Sequence, residues 1–341
     1  MKNNIIKKNK NINLGLEILR VLLSFWVLVH HCGSIKNITI KKTLFIRAFH
    51  VPTFIIISFY FSYKIIQSKN IIKLKERLER LYFPYIIWPI IIWIINNILF
   101  YFFKLNRRLE IRYLIMQFII GRPYQYVLWY QFNLIFITIF VTIISFTFHR
   151  NFLFILEIIG LISYILQYSS YNYLYFHKYS YYIYCSVGLI IELFPIAVTG
   201  LFLSSIQLIQ LFHENRLKAI SISFLSLFIV KKYDIFRNIL GNFYPGILRN
   251  VCAIFSFIMF SQISFNYIKS QKIITFIMEI TSYTGGIYYT HVVIKNYFQY
   301  ILLLIKNRTI IGCLIIYLIC YLICFLGVRI FKANKFRYLF Y

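Results

Sequence analysis

The chain alternates long apolar runs with short polar breaks, most of them basic. A helix rises about 1.5 Å per residue and a bilayer's hydrocarbon layer is about 30 Å thick, so a span needs about 20 mostly apolar residues. Windows of that kind fall near 15–35, 44–66, 81–103, 126–148, 152–170, 181–206, 219–230, 247–266, 281–304 and 309–330. The pattern predicts an all-α, polytopic transmembrane helix bundle of about ten spans. It fills 1–341 as a single membrane domain, with a short basic tail at 1–12 and another at 331–341. The seventh window is short, and the fifth and ninth carry polar interruptions, so nine or eleven spans stay open. The first window follows a basic segment, as a signal peptide would. Arg20 interrupts it and no small-x-small cleavage site follows, so it reads as a retained helix.

Composition strengthens this picture. Of 341 residues, 60% are hydrophobic and 13% charged, with a mean hydropathy of +0.72; soluble domains run near 45–50% apolar and about 25% charged. The formal charge of +28 resembles a nucleic-acid footprint. The basic residues, however, sit in short runs between apolar blocks, the usual arrangement at membrane surfaces, and no folded reading module accompanies them. The joint abundance of Ile, Lys, Asn, Phe and Tyr also points to an A/T-rich coding sequence more than to selection for a basic face. Membrane lipids are expected partners and nucleic acid is not. Lys and Arg divide almost evenly between the two sides of a ten-span arrangement. The Lys2, Lys7, Lys8, Lys10 cluster and the Lys64 to Arg80 run favour cytoplasmic termini, because the first helix usually dominates orientation.

Several chemistries lack their motifs. The six cysteines, Cys32, Cys185, Cys252, Cys313, Cys320 and Cys324, show no CxxC or Cys/His ligand spacing and read as small packing residues, with no metal site expected. Neither G-x-x-x-x-G-K-[ST] nor G-x-G-x-x-G occurs, which disfavours nucleotide hydrolysis.

The informative residues are polar groups inside apolar runs. "LEILRVLLSFWVLVHHC" holds Glu17, Arg20, His30 and His31. His31 lies eleven positions after Arg20, so at about 100° and 1.5 Å per residue the two share a face about 16 Å apart, while His30 points about 80° away. Glu17, three residues before Arg20, is placed for an intrahelical ion pair. Two placements fit the stripe: a bundle interior or water-filled cavity, or two opposite interfaces where Arg snorkels. In "RLERLYFPYIIW", Arg77 and Arg80 share a face just before Pro84, which suits a helix start; they would clamp phosphate, or serve as ordinary positive-inside decoration beside Glu76 and Glu79. "SYTGGIYYTHVVI" sets His291 in an apolar segment, with Gly285 and Gly286 loosening the helix entrance. Glu157 and Glu192 are isolated acids that a proton or cation path would use.

Taken in order, these segments resemble the acyltransferase 3 family, integral-membrane enzymes that O-acylate sugars of cell-surface glycans. That family opens with L-D-x-L-R and a His eleven residues after the Arg; here it reads Leu16 to Arg20 and then His31, with Glu17 replacing Asp. "HVPTFIIISFYFSY" is similar to its second helix, although Phe59 follows Ser58 where the family has a Ser-Gly pair. Arg77, Arg80 and Pro84 resemble its paired-Arg segment. "LWYQFNLIF", anchored by Trp129, resembles its aromatic fourth helix, and "ELFPIAVTGLFL", through Pro195 and Gly200, its F-x-x-G helix. "GGIYYTH", through Gly286, Ile287, Tyr288 and His291, resembles its near-final helix. Many bacterial members carry a Glu after the Trp, where this chain has Gln131 and Asn133.

The resemblance implies a cytosolic acyl-CoA co-substrate, chiefly acetyl-CoA, with no permanently bound cofactor, and an acceptor hydroxyl on a glycan or lipid-linked sugar. It implies His31 as general base or acyl carrier, Arg20 and Glu17 beside it, and Arg77 and Arg80 on the donor's phosphates. His291 and Trp129 are secondary, and the location is the cell membrane. Two readings from another class stand beside it: a glycan polymerase or flippase, which needs no acyl-CoA, and a proton-coupled transporter using Glu157 or Glu192 with His31.

Overall fold

The computed structural model describes residues 13–31, 50–103, 110–121, 128–173, 188–212, 215–231, 244–263, 270–298, 310–331 and 335–341. Cys32, Cys185, the 1–12 tail with its lysine cluster, and residues 332–334 of the second tail lie outside the described residues. Every described element is helical, with no strand among the described residues. In chain order they are α1 (Leu14–His31), α2 (His50–Gln67), α3 (Ile71–Phe103), α4 (Ile111–Ile120), α5 (Leu128–Phe148) and α6 (Phe152–Tyr173). There follow α7 (Leu189–Ser205), α8 (Leu208–Leu211), α9 (Arg216–Lys231), α10 (Tyr244–Gln262), α11 (Gln271–Ser282), α12 (Thr284–Phe298) and α13 (Ile310–Ile330), and a 3₁₀ turn at Lys335–Leu339 ends the described chain.

Each of the ten apolar windows contains a described helix. By length and apolarity, however, four stretches among the described residues qualify as membrane spans: Leu14–His31, Ile71–Phe102, Leu128–Leu166 and Ile311–Ile330. About ten spans is not reached on that measure, for physical reasons visible in the chain. The third stretch is two helices, α5 and α6, reversed at His149–Asn151, where His149 takes φ 44°. Leu189–Ser205 and Asn250–Gln262 are apolar but shorter. The 281–304 window is divided at Tyr283, between α11 and α12.

Over an apolar core, the outer surface runs opposite to that of a soluble domain. Large apolar side chains such as Phe102, Phe154, Leu161 and Ile311 are exposed, while Glu17, Thr53, Gln131, Asn133, Thr138 and His291 are buried. That inversion suits a solvent of lipid tails, in which polar groups must find partners inside the bundle.

α1 sits at the centre, packed on α2, α10, α11, α12 and α13. Asn13 caps it, its side-chain oxygen accepting from Leu16 N at 3.1 Å. One buried cluster joins α1 with α2, α5, α6, α7 and α10; a second joins α1 with α12 and α13; a third joins α3, α5 and α12 with the 335–341 segment. Phe59, which replaces the small residue of the resembling pattern, is fully buried, and closeness comes from the facing helix instead. A Cβ on Gly200 of α7 would stand 2.6 Å from Ile56 O and 3.1 Å from Phe59 Cβ.

The expected helix start at Pro84 is corrected. α3 begins at Ile71, where Asn70 Oδ1 accepts from Lys73 N at 3.0 Å, and runs through both Pro84 and Pro89. Pro84 removes the bond to the Arg80 carbonyl, but proline is tolerated in such helices when neighbours supply polar contacts. One turn away, Gln131 Nε2 of α5 donates to Leu81 O at 2.8 Å. The 33 residues of α3 extend about 50 Å, against about 30 Å of hydrocarbon, so its charged first turns stand outside the apolar layer.

Candidate functional site

The helix pair α1 and α12 organises the site. Arg20 Nη2 approaches Thr284 Oγ1 at 3.4 Å, and the His31 ring lies 5.3 Å from that of His291. The two helices therefore run the same way, the arginine end of α1 beside the start of α12 and the histidine end further along.

At the arginine end lies a cavity of about 890 Å³. Glu17, Arg20, Arg77 and Arg80 line it, together with Tyr130, Gln131, Tyr288 and Arg337. Residues some 60 positions apart in sequence thus share one wall. The expected pair is present, with Arg20 Nη1 donating to Glu17 Oε2 at 3.0 Å. Arg80 pairs loosely with Glu76 at 3.7 Å in an exposed setting, where such pairs contribute about 0–1 kcal/mol.

Arg77 is held differently. Its Nη2 donates to Ser58 Oγ at 3.0 Å, and its guanidinium lies 5.5 Å from the Phe59 ring centroid, within cation–π range. The Ser58–Phe59 dipeptide, a departure from the resembling pattern, thus grips this arginine from two sides. Arg77 Nε is shielded from solvent and meets no hydrogen-bond acceptor among the described residues. A donor left unanswered in a low-dielectric wall carries a desolvation cost that an anionic ligand would relieve.

At the other end, four imidazoles stand in a row. His50 lies 5.6 Å from His30, His30 5.5 Å from His31, and His31 5.3 Å from His291, between ring centroids. His291 and His50 are buried, His31 is half-buried and His30 exposed. His30 and His31 meet edge to face and the other two pairs are tilted, and among the described residues no three His, Cys, Asp or Glu side chains are placed to hold a metal ion. His31 and His291 do not line the cavity. The Tyr288 ring stands between the two regions, on the cavity wall and 6.0 Å from His291.

Of the residues singled out in the sequence, Glu17, Arg20, Arg77 and Arg80 meet in the cavity, and His31 meets His291 outside it. Trp129 does neither; it packs on the main core cluster, 6.3 Å from the Tyr130 ring. Its neighbour Tyr130 is the one that lines the cavity, within Coulombic reach of Arg77 and Arg20 and 5.7 Å from the Tyr288 ring. Gln131, one of the two residues standing where many members of the resembling family carry a Glu after the Trp, is a buried amide that donates to α3. An ionised Glu accepts only and would not make that bond. Arg337 also lines the cavity, although in the sequence it lies in a basic tail that reads as surface charge. Glu157 faces outward on α6.

Residues 13–329 match the acyltransferase 3 family, described as an acyltransferase domain. No curated protein and no solved structure matches the chain.

Proposed function

The chain belongs to the acyltransferase 3 family, and from that membership in a membrane acyltransferase family we propose a specific reaction: transfer of an acyl group, chiefly acetyl, from cytosolic acyl-CoA to a hydroxyl of a glycan or lipid-linked sugar. The observation that carries it is the arginine-lined cavity at one end of α1, whose other end bears His31. Phosphates of the donor fit the guanidinium end, Arg77 supplying a fork and an unanswered Nε–H, Arg80 a second charge. The pantetheine arm then extends along α1 past Tyr288 and carries the thioester toward His31, a reach of about 16 Å from Arg20.

Chemically, the acceptor oxygen attacks the thioester carbon as His31 takes its proton, and the C–S bond breaks. The proton passes to the departing thiolate, giving the ester and free coenzyme A with no net proton released. Imidazole suits this role because its pKa lies near neutrality. The same residue would serve as a transient acyl carrier if donor and acceptor approach from opposite sides. Arg20, held by Glu17, stabilises negative charge developing on the donor side. On this reading residues 1–341 form one catalytic membrane domain in the cell membrane with cytoplasmic termini, and the number of spans approaches ten through the shorter apolar helices.

The test uses the full chain in proteoliposomes, given acetyl-CoA labelled in the acetyl group and a sugar acceptor. Label is expected in the sugar with stoichiometric release of thiol. Sugar movement without acyl-CoA, and no labelled product, would replace this reading with the flippase one. Comparing the acetyl content of surface glycans with and without the gene, by mass spectrometry, identifies the acceptor.

A further inference from the structure

The cavity has a wall that the family match does not reach. Residues 335–341 lie beyond 13–329, yet Arg337, Tyr338 and Tyr341 line the cavity with the arginines already described. The segment is fixed at several points. Lys335 Nζ meets Glu79 Oε1 at 3.0 Å, and Trp88 Nε1 of α3 donates to Leu339 O at 3.2 Å, with the Leu339 side chain buried. Its backbone also lies against the first turn of α12: a Cβ on Gly285 would stand 2.3 Å from Tyr341 O, and one on Gly286 2.4 Å from Phe340 O. Only glycine at these two positions lets the segment approach so closely.

Charge distinguishes Arg337 from the other cavity arginines that carry partners. Glu17 answers Arg20 and Glu76 answers Arg80, whereas among the described residues no side-chain carboxylate pairs with Arg337, which is hydrogen-bonded to Tyr338 and lies 5.3 Å from that ring's centroid. Four guanidiniums against two side-chain carboxylates leave the lining side chains at a formal +2. Arg80 and Arg337 are the exposed members, and Arg20 and Arg77 the more sheltered ones.

We infer that the 335–341 segment is a working part of the donor site: Arg337, with Arg80, forms a cationic rim that holds the nucleotide phosphates of the acyl-CoA donor. The inference rests on the proposed acyl-CoA reading. The tether through Lys335 and the glycine-permitted backbone contact set Arg337 in place, so the rim is preformed when the donor arrives. Phosphate is the shared chemistry of coenzyme A and of anionic lipid headgroups, and the experiment separates these sources.

The full chain is placed in nanodiscs of zwitterionic lipid and titrated calorimetrically with acetyl-CoA and with acetyl-pantetheine, which lacks the nucleotide phosphates. Arg337→Ala is expected to weaken acetyl-CoA binding about tenfold, the scale of one hydrogen bond to a charged group. It should leave acetyl-pantetheine binding unchanged, and Arg337→Lys should recover part of the loss. Lys335→Ala, which frees the segment from Glu79 without altering Arg337, should cost about threefold, as a surface ion pair does. A melting temperature near the native one confirms that each variant folds. Native binding that Arg337→Ala leaves unchanged overturns the rim alone, while absence of acetyl-CoA binding by the native protein takes down the donor reading and the rim with it. An effect of Arg337→Ala confined to discs containing anionic lipid assigns the phosphate to a headgroup and also overturns the rim.

Discussion

The two ends of the α1–α12 pair are built from different materials. At the arginine end, long flexible side chains surround a volume of about 890 Å³, most of them partnered: Arg20 by Glu17, Arg77 by Ser58 and Phe59. At the histidine end, four rings from α1, α2 and α12 follow one another at 5.3–5.6 Å. The first arrangement offers space and fixed cations together, which would suit a ligand of substantial size and negative charge. The second places several imidazoles, groups capable of proton exchange, side by side. A long donor with phosphates at one end and a thioester at the other would use both. The difference predicts that binding and turnover should separate under mutation: the arginine end governs affinity and the histidine end governs rate.

His31→Ala is the largest expected effect. Acyl transfer should fall by about 10²-fold or more, the scale of a lost general base, with acetyl-CoA affinity unchanged. Label-transfer kinetics alongside calorimetry measures both. Full activity in this variant, or a loss confined to affinity, would dissolve the division between the ends. Arg77→Lys comes next and acts from the other side. It keeps the charge but loses the fork that reaches Ser58. Donor affinity should weaken about tenfold while kcat at saturating donor is retained; a fall in kcat with affinity intact would mean that the arginine works on the reacting atoms instead.

How far these two regions could be read from the chain depends on sequence distance. The Glu17–Arg20 pair and the common face of Arg20 and His31 follow from helical geometry within one segment, and the ion pair forms at 3.0 Å as that geometry requires. The meeting of His31 with His291 and of His30 with His50 joins separate segments, and no local periodicity reports it. Trp129 and Tyr130 both pack on the main core cluster, but one position, about 100° around α5, is enough to bring only the second to the cavity wall. Pro84 carries a helix-start signal inside α3, whereas the residue that caps the helix is Asn70, fourteen positions earlier. Arg337 has no apolar helix around it to make its charge conspicuous, so the tail reads as decoration until its backbone is seen against Gly285 and Gly286.

A third substitution probes the junction between α3 and α5 that frames the cavity. In Gln131→Glu the ionised side chain loses the donor that reaches Leu81 O beside the proline interruption. A stability loss of about 1–3 kcal/mol is expected, the cost of a buried polar group deprived of its partner, read as a lowered melting temperature in detergent. Native stability in this variant would mean that a cavity cation such as Arg77 or Arg20 welcomes the carboxylate. Position 131 would then tolerate either type.

The smallest expected effect sharpens the comparison most at the histidine end. His30 and His31 are adjacent, yet His30 turns about 80° from the Arg20 direction and is exposed, with His31 and His50 on either side of it. If His31 acts alone on the substrate, His30→Ala should change transfer by no more than about twofold, the range of an exposed substitution of about 0.5 kcal/mol. If the row of rings acts as a unit, His30→Ala should approach the His31→Ala loss, and the double variant should cost little more than either single one, because groups that act together are non-additive. Measuring both single variants and the double in one label-transfer assay therefore decides between one functional imidazole and a coupled row. The exposure of His30, set against the burial of His291, favours the single imidazole.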